Sequence, residues 1–118
     1  MPASKAGRGL LLVLACGLAH AADKDDALYA SYACQQYALA ALKTLGKPRA
    51  DASRPATPAP ANDKRWAGMT EVWLASGAIH AQASFGAAMV RSGYQCAVQK
   101  TAGAGWKLLE LQWPQGRP

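Results

Sequence analysis

The chain has 118 residues, a formal net charge of +6 and three cysteines, a length that holds one domain rather than several. Two of its bases, Lys5 and Arg8, stand at the start, and without them the balance is +4. Six more, Lys43, Lys47, Arg49, Arg54, Lys64 and Arg65, gather in the middle; no aromatic-interleaved binding motif accompanies them, so they read as solubilising charge and no nucleic-acid partner is expected.

Met1–Arg8 carries bases and no acid, Gly9–Ala19 is an apolar run, and Ala19-His20-Ala21 offers small residues at a cleavage point. A basic start, a short apolar core and an A-x-A site describe a secretory signal peptide over residues 1–21. The apolar run is too short for a bilayer span, which takes roughly 20 residues. The expected destination is the periplasm or the medium. A second processing route remains open: Leu12-Val13-Leu14-Ala15-Cys16 resembles the lipobox of bacterial lipoproteins, in which the cysteine is acylated. Through Cys16 the chain would become a membrane-anchored lipoprotein of an envelope assembly; only then is a membrane partner expected. Leu14 beside the acceptor pair and the short apolar run before Cys16 favour cleavage after Ala21.

Removing the leader leaves Cys34 and Cys96, an even count suited to an oxidising compartment. A bridge between them closes a loop of about 60 residues, worth roughly 4 kcal/mol by chain entropy. A mature chain this small buries a modest core, so that contribution is a large share of its stability.

Residues 22–47 read as a helix, with Asp23, Asp25 and Asp26 at its start and Lys43 and Lys47 at its end, complementing the helix dipole. Gly46 followed by Pro48 is its stop signal. At 100° per residue, Leu28, Ser31, Tyr32, Cys34, Gln35, Ala38, Leu39, Leu42 and Leu45 share one broad face, and Tyr29, Gln36, Tyr37 and Lys43 the other. Residues 48–63 hold four of the seven prolines and no large apolar side chain; they read as an extended Pro/Ala-rich linker.

From residue 64 to 118 the pattern is that of an antiparallel sheet. A short strand is expected near Lys64–Ala67, then longer ones over Glu71–Gln82, Ala87–Lys100 and Trp106–Trp113, separated by glycine-containing turns. Alternation puts Val90, Ser92, Tyr94, Cys96 and Val98 on one face of the third strand, the face that must meet the helix. Arg91, Gly93, Gln95 and Gln99 then face outward. The fold class is α+β: one N-terminal helix on a three- to four-stranded antiparallel meander, with a helix–sheet disulfide, in a single domain over residues 22–118.

The series Gly77-x-Ile79-x-Ala81-Gln82-x-Ser84-Phe85-Gly86-Ala87, followed by Arg91, Tyr94-x-Cys96 and Trp106, resembles a group of small exported bacterial proteins. There a helix carries a cysteine followed by a Leu-Lys pair, as Cys34 and Leu42-Lys43 do here. The last strands of that group carry a pattern like G-x-V-D-A-Q-N-S-F-G-A…R…Y-x-C…W. His80 stands where the pattern has an acid, and the Pro/Ala run replaces a shorter connector. The group has no established activity, so the resemblance implies the fold and the bridge and names no ligand.

The mature chain has one histidine, His80, and few acids. No CxxC, HExxH, GxSxG or phosphate-cradling loop occurs, and three or four metal ligands cannot be assembled. Glu71 and His80, nine residues apart, point to opposite faces of a regular strand. No catalytic set, cofactor or metal is therefore expected. The polar residues around the turn, His80, Gln82, Ser84 and Arg91, form the candidate binding edge; against it stands ordinary turn chemistry, with Ser84 satisfying backbone and Gly86 supplying positive φ. The expected function is a non-catalytic binding or envelope-accessory module acting on a protein or cell-envelope partner. The rival readings are the lipoprotein acylated at Cys16 and a small enzyme using the His80–Arg91 region.

Overall fold

The computed structural model describes residues 25–43, 45–84, 86–103 and 105–118. The leader, its cleavage site and Cys16 lie outside those residues. Helix α1 runs over residues 25–41 and is followed by a tightened turn, in which Leu42 and Leu45 N–H groups donate to the carbonyls of Leu39 and Leu42 at 3.1 and 2.9 Å. The helix therefore ends before the expected stop at Gly46. Five strands follow: β1 (Gly46–Ala50), β2 (Thr57–Pro58), β3 (Val72–Gln82), β4 (Met89–Lys100) and β5 (Trp106–Gln112). All pair antiparallel in the order β1-β3-β4-β5, with β2 also on β3. Because β4 occupies one edge of β3 along its whole length, β1 and β2 share the other edge, one at each end.

The fold class is as expected, an α+β domain with the helix on an antiparallel sheet. The meander β3–β4–β5 follows the alternation and the turn glycines closely. The Pro/Ala stretch 48–63 differs. It does carry the chain from helix to sheet, but it contributes β2 and most of β1 on the way. Strand pairing there rests on backbone groups, which prolines spaced several residues apart do not all remove. Between the two strands the chain leaves the sheet edge and bonds to the helix instead. Ser31 Oγ donates to Arg54 O, Ser53 Oγ donates to Gln35 Oε1 at 2.6 Å, and Ala56 N–H donates to Ala27 O at 2.9 Å. The short strand expected near Lys64–Ala67 is a 3-10 turn, Lys64–Trp66, capped by Asp63, whose carboxylate accepts from the Arg65 N–H.

The helix packs through small residues. Ala30, Ser31, Cys34, Ala38 and Leu42 are buried, whereas Leu28 and Tyr32, expected on the buried face, are 56% and 60% exposed. The small residues Ala30, Ser31, Cys34 and Ala38 bring the helix backbone close to the sheet, Leu42 closes the stripe at its C-terminal end, and Leu28 and Tyr32 fall outside it. Tyr37, expected on the outer face, is half-buried and donates its hydroxyl to Trp106 O at 2.6 Å. The sheet answers with Trp73, Ile79 and Ala81 from β3 and Tyr94, Cys96 and Val98 from β4. Cys34 and Cys96 are bonded across this layer, with 5.9 Å between their Cα atoms. In β5 the register slips between Ala97–Glu110 and Val98–Leu108, so Leu109 is an extra residue, a bulge that re-aims the end of the strand.

Candidate functional site

With the helix on one face of the sheet, the side chains of even-numbered β3 residues and odd-numbered β4 residues point away from it. His80 of β3 stands directly opposite Arg91 of β4 and, on its other side, opposite Arg49 of β1. Three basic-type side chains thus lie in one row across three strands. Asp51, the residue after β1, stands on the same face two residues further along, beside Ala78. Its N–H donates to Ala78 O at 3.0 Å, continuing the ladder one step, and period-2 alternation keeps it on the outward face with Arg49.

Asp51 joins the row together. Its Oδ1 lies 2.7 Å from His80 Nε2, and its Oδ2 accepts from Arg91 Nε at 3.0 Å. A carboxylate only accepts, so the shared hydrogen sits on His80 Nε2. Arg91 remains 62% exposed, and among the described residues only its Nε is paired. The two terminal nitrogens of its guanidinium are therefore oriented and unspent, a fork suited to a carboxylate or phosphate oxygen pair. The Arg91 hydrogen bond holds the Asp51 carboxyl below its ordinary value of 3.8; desolvation, next in size, opposes it, and the hydrogen bond from His80 adds to the lowering. A carboxyl lowered on folding stabilises the native state above its unfolded pKa, and that contribution is lost as pH falls through the lowered value. A carboxyl-detected NMR titration should place the Asp51 midpoint below 3.8 and return it toward 3.8 in Arg91→Ala. An unmoved midpoint would show that the Arg91 bond does not form in solution.

Of the four residues expected at the binding edge, the structure brings His80 and Arg91 together and gives the other two different places. Gln82 donates from Nε2 to Ala87 O at 2.9 Å and so closes the β3–β4 turn. Ser84 is exposed, and its carbonyl accepts from Ala87 N–H at 3.0 Å, with Gly86 at φ +81° completing the turn. Phe85 lies outside the described residues. Asp51 was missed, since an aspartate in a proline-rich stretch carries no local signal. Cys34 and Cys96 form the expected bridge.

A concavity of about 380 Å³ lies where the 51–56 segment leaves the β3 edge, and Arg54, Arg65, Trp66, Ser76, Gln95 and Glu110 are among its walls. Arg65 is already engaged there: it pairs with Asp63 at 3.0 Å and Glu110 at 3.5 Å, and lies over the Trp66 ring. Among the described residues no three His, Cys, Asp or Glu side chains come together as a metal site, and no helix is long and apolar enough to cross a membrane. No protein-family model, curated protein or solved structure matches the chain.

Proposed function

We propose that this chain is an exported, non-catalytic binding module of the cell envelope, with its contact surface on the outward sheet face around Arg91, His80 and Asp51. The observation that carries the reading is the state of Arg91: fixed through Nε by Asp51, largely exposed, and with both terminal nitrogens unpaired among the described residues. Such a group binds an anionic partner without first being ordered, which lowers the entropic cost of association. Export is supported by the leader pattern of residues 1–21 and by a buried disulfide, which persists in oxidising compartments. The hydrogen bond between Asp51 and His80 would also orient an imidazole for proton transfer, as an enzyme would need; among the described residues no hydroxyl or thiol is bonded to His80, and the binding reading uses all three side chains.

The test is capture from envelope extract by the immobilised protein. Arg91→Ala should reduce the recovered partner by about fivefold, the upper range for an exposed ion pair, while circular dichroism stays at the wild-type signal and the protein stays folded at the temperature of the assay. Equal recovery by the variant would remove this face as the contact surface.

A further inference from the structure

The sheet has several open edges, and they are not alike. β1 carries Pro48 with Lys47 and Arg49, and β2 is two residues long and ends in Pro58. β5 holds the Leu109 bulge between Lys107 and Glu110. Proline, charge, bulges and brevity are the devices that keep edges from pairing with other chains. The exception is the half of β4 that β5 does not reach. Pairing of β4 with β5 begins at Gln95–Gln112, so among the described residues Met89–Tyr94 has a strand only on its β3 side.

The reason β5 stops is local. In continued register Pro114 would stand opposite Gly93, with no N–H to give. Instead Trp113 packs edge-on against Tyr94 at 5.9 Å between ring centroids, and Gly116 N–H folds back to Trp113 O at 2.9 Å. This leaves about 20 Å of strand, at roughly 3.4 Å per residue, without a paired strand on that side among the described residues, with Trp113 and the Pro114-Gln115 turn beside its Gly93–Tyr94 end. The stretch has no proline and no bulge. It exposes Met89 and Val90, and its single charge, Arg91, is already turned onto Asp51. Gly93 has no side chain, and a depression of about 350 Å³ beside it is lined by Arg91, Gly93, Gln95, Ser76 and Gln115 among others.

We infer that Met89–Tyr94 of β4 receives an extended acidic peptide segment of a partner protein as an added strand, its acidic side chains drawn by the net positive outward row that ends at Arg91. The inference rests on the binding reading above and gives it a partner chemistry. Backbone pairing supplies the affinity and alternate side chains the selectivity, as in other strand-addition complexes. The charge follows from the row: Arg49, His80 and Arg91 face outward with one carboxylate, Asp51, among them, so an added strand meets net positive charge and an acidic residue is the complement. A second copy pairing β4 on β4 would bring two such rows side by side, which charge repulsion opposes.

The experiment uses the purified protein and a fluorescein-labelled peptide, Thr-Val-Glu-Val-Thr. Its comparison peptides are the same sequence with Lys for Glu and two N-methylated forms, methylated on the odd or the even residues. The Glu peptide should bind and slow amide exchange at Met89–Tyr94. The Lys peptide should bind about fivefold more weakly. In an antiparallel strand only alternate N–H groups point into the edge. One methylation phase should therefore weaken binding by about tenfold or more, from the loss of two or three hydrogen bonds, and the other should leave it nearly unchanged. Equal effects of the two phases, or protection elsewhere, would overturn strand addition. If Arg91→Ala still lost its extract partner in that case, the outward face would stand as the contact surface without the edge. A concentration-dependent dimer protected at Met89–Tyr94 would overturn the peptide in favour of a second copy.

Discussion

Replacing Cys34 and Cys96 together by alanine is expected to lower the unfolding free energy by about 4 kcal/mol, through the entropy regained by an unfolded chain no longer closed at a separation of 62 residues. The pair is buried, Cys34 completely and Cys96 nearly so, so the alanine pair also leaves space where two sulfurs were, adding to the loss. A domain of this size has a total stability of about 5–15 kcal/mol, and the variant would sit near the lower limit of folding. The measurement is urea unfolding of the double variant beside the wild type. A difference below about 1 kcal/mol would mean that the helix–sheet interface, and not the bridge, sets the stability.

The second large effect is expected at Gly77. It stands opposite Tyr94 on the helix-facing side of the sheet, and the phenol lies across it: a Cβ placed on Gly77 would come within 2.5 Å of the Tyr94 hydroxyl oxygen and 2.7 Å of Cζ. Tyr94 has little freedom to retreat, being 3% exposed and packed on Trp113. Gly77→Val should therefore cost about 1–3 kcal/mol or more by overpacking, measurable as a lowered urea midpoint. Burial holds the Tyr94 phenol above its ordinary pKa of 10.0, opposed by a hydrogen bond with Ser53. A raised phenol pKa stabilises the fold below 10.0 and ceases to as pH rises through the raised value. The variant should accordingly titrate Tyr94 earlier in an ultraviolet alkaline titration. Wild-type stability together with an unchanged titration would show that the ring does not lie on Gly77.

The parts of the fold that were legible are those where side chains carry the pattern. Val90 to Val98 alternate and are bounded by Gly86 and Gly103, and the strand follows them, although the exposed Val90 shows that the buried face starts at Ser92. The parts that were not legible are held by backbone or by small residues. Arg49 and Thr57 give no strand signal in a proline-rich context; they pair because the other edge of β3 would otherwise be bare. The large residues of the helix predict an inward face that includes Leu28 and Tyr32, and both are exposed. The true contact runs along Ala30, Cys34 and Ala38, where hydrophobicity is weak and close approach decides. The candidate site divides the same way. His80 and Arg91 came from strand alternation, whereas Asp51 reaches them only through the pairing of β1 with β3, 29 residues from its histidine partner.

The same bridge that joins helix to sheet makes residues 34–96 a covalent ring, and the exposed bases Arg54, Lys64 and Arg65 all lie on its circumference. A protease that cuts at any of them opens the ring without separating the pieces. The nicked molecule still holds α1 against β4 by a sulfur tether, so its two fragments remain neighbours at high effective concentration and can stay docked. With the bridge oxidised, scission therefore changes the topology from ring to branched chain, and a non-reducing gel would still show one molecule.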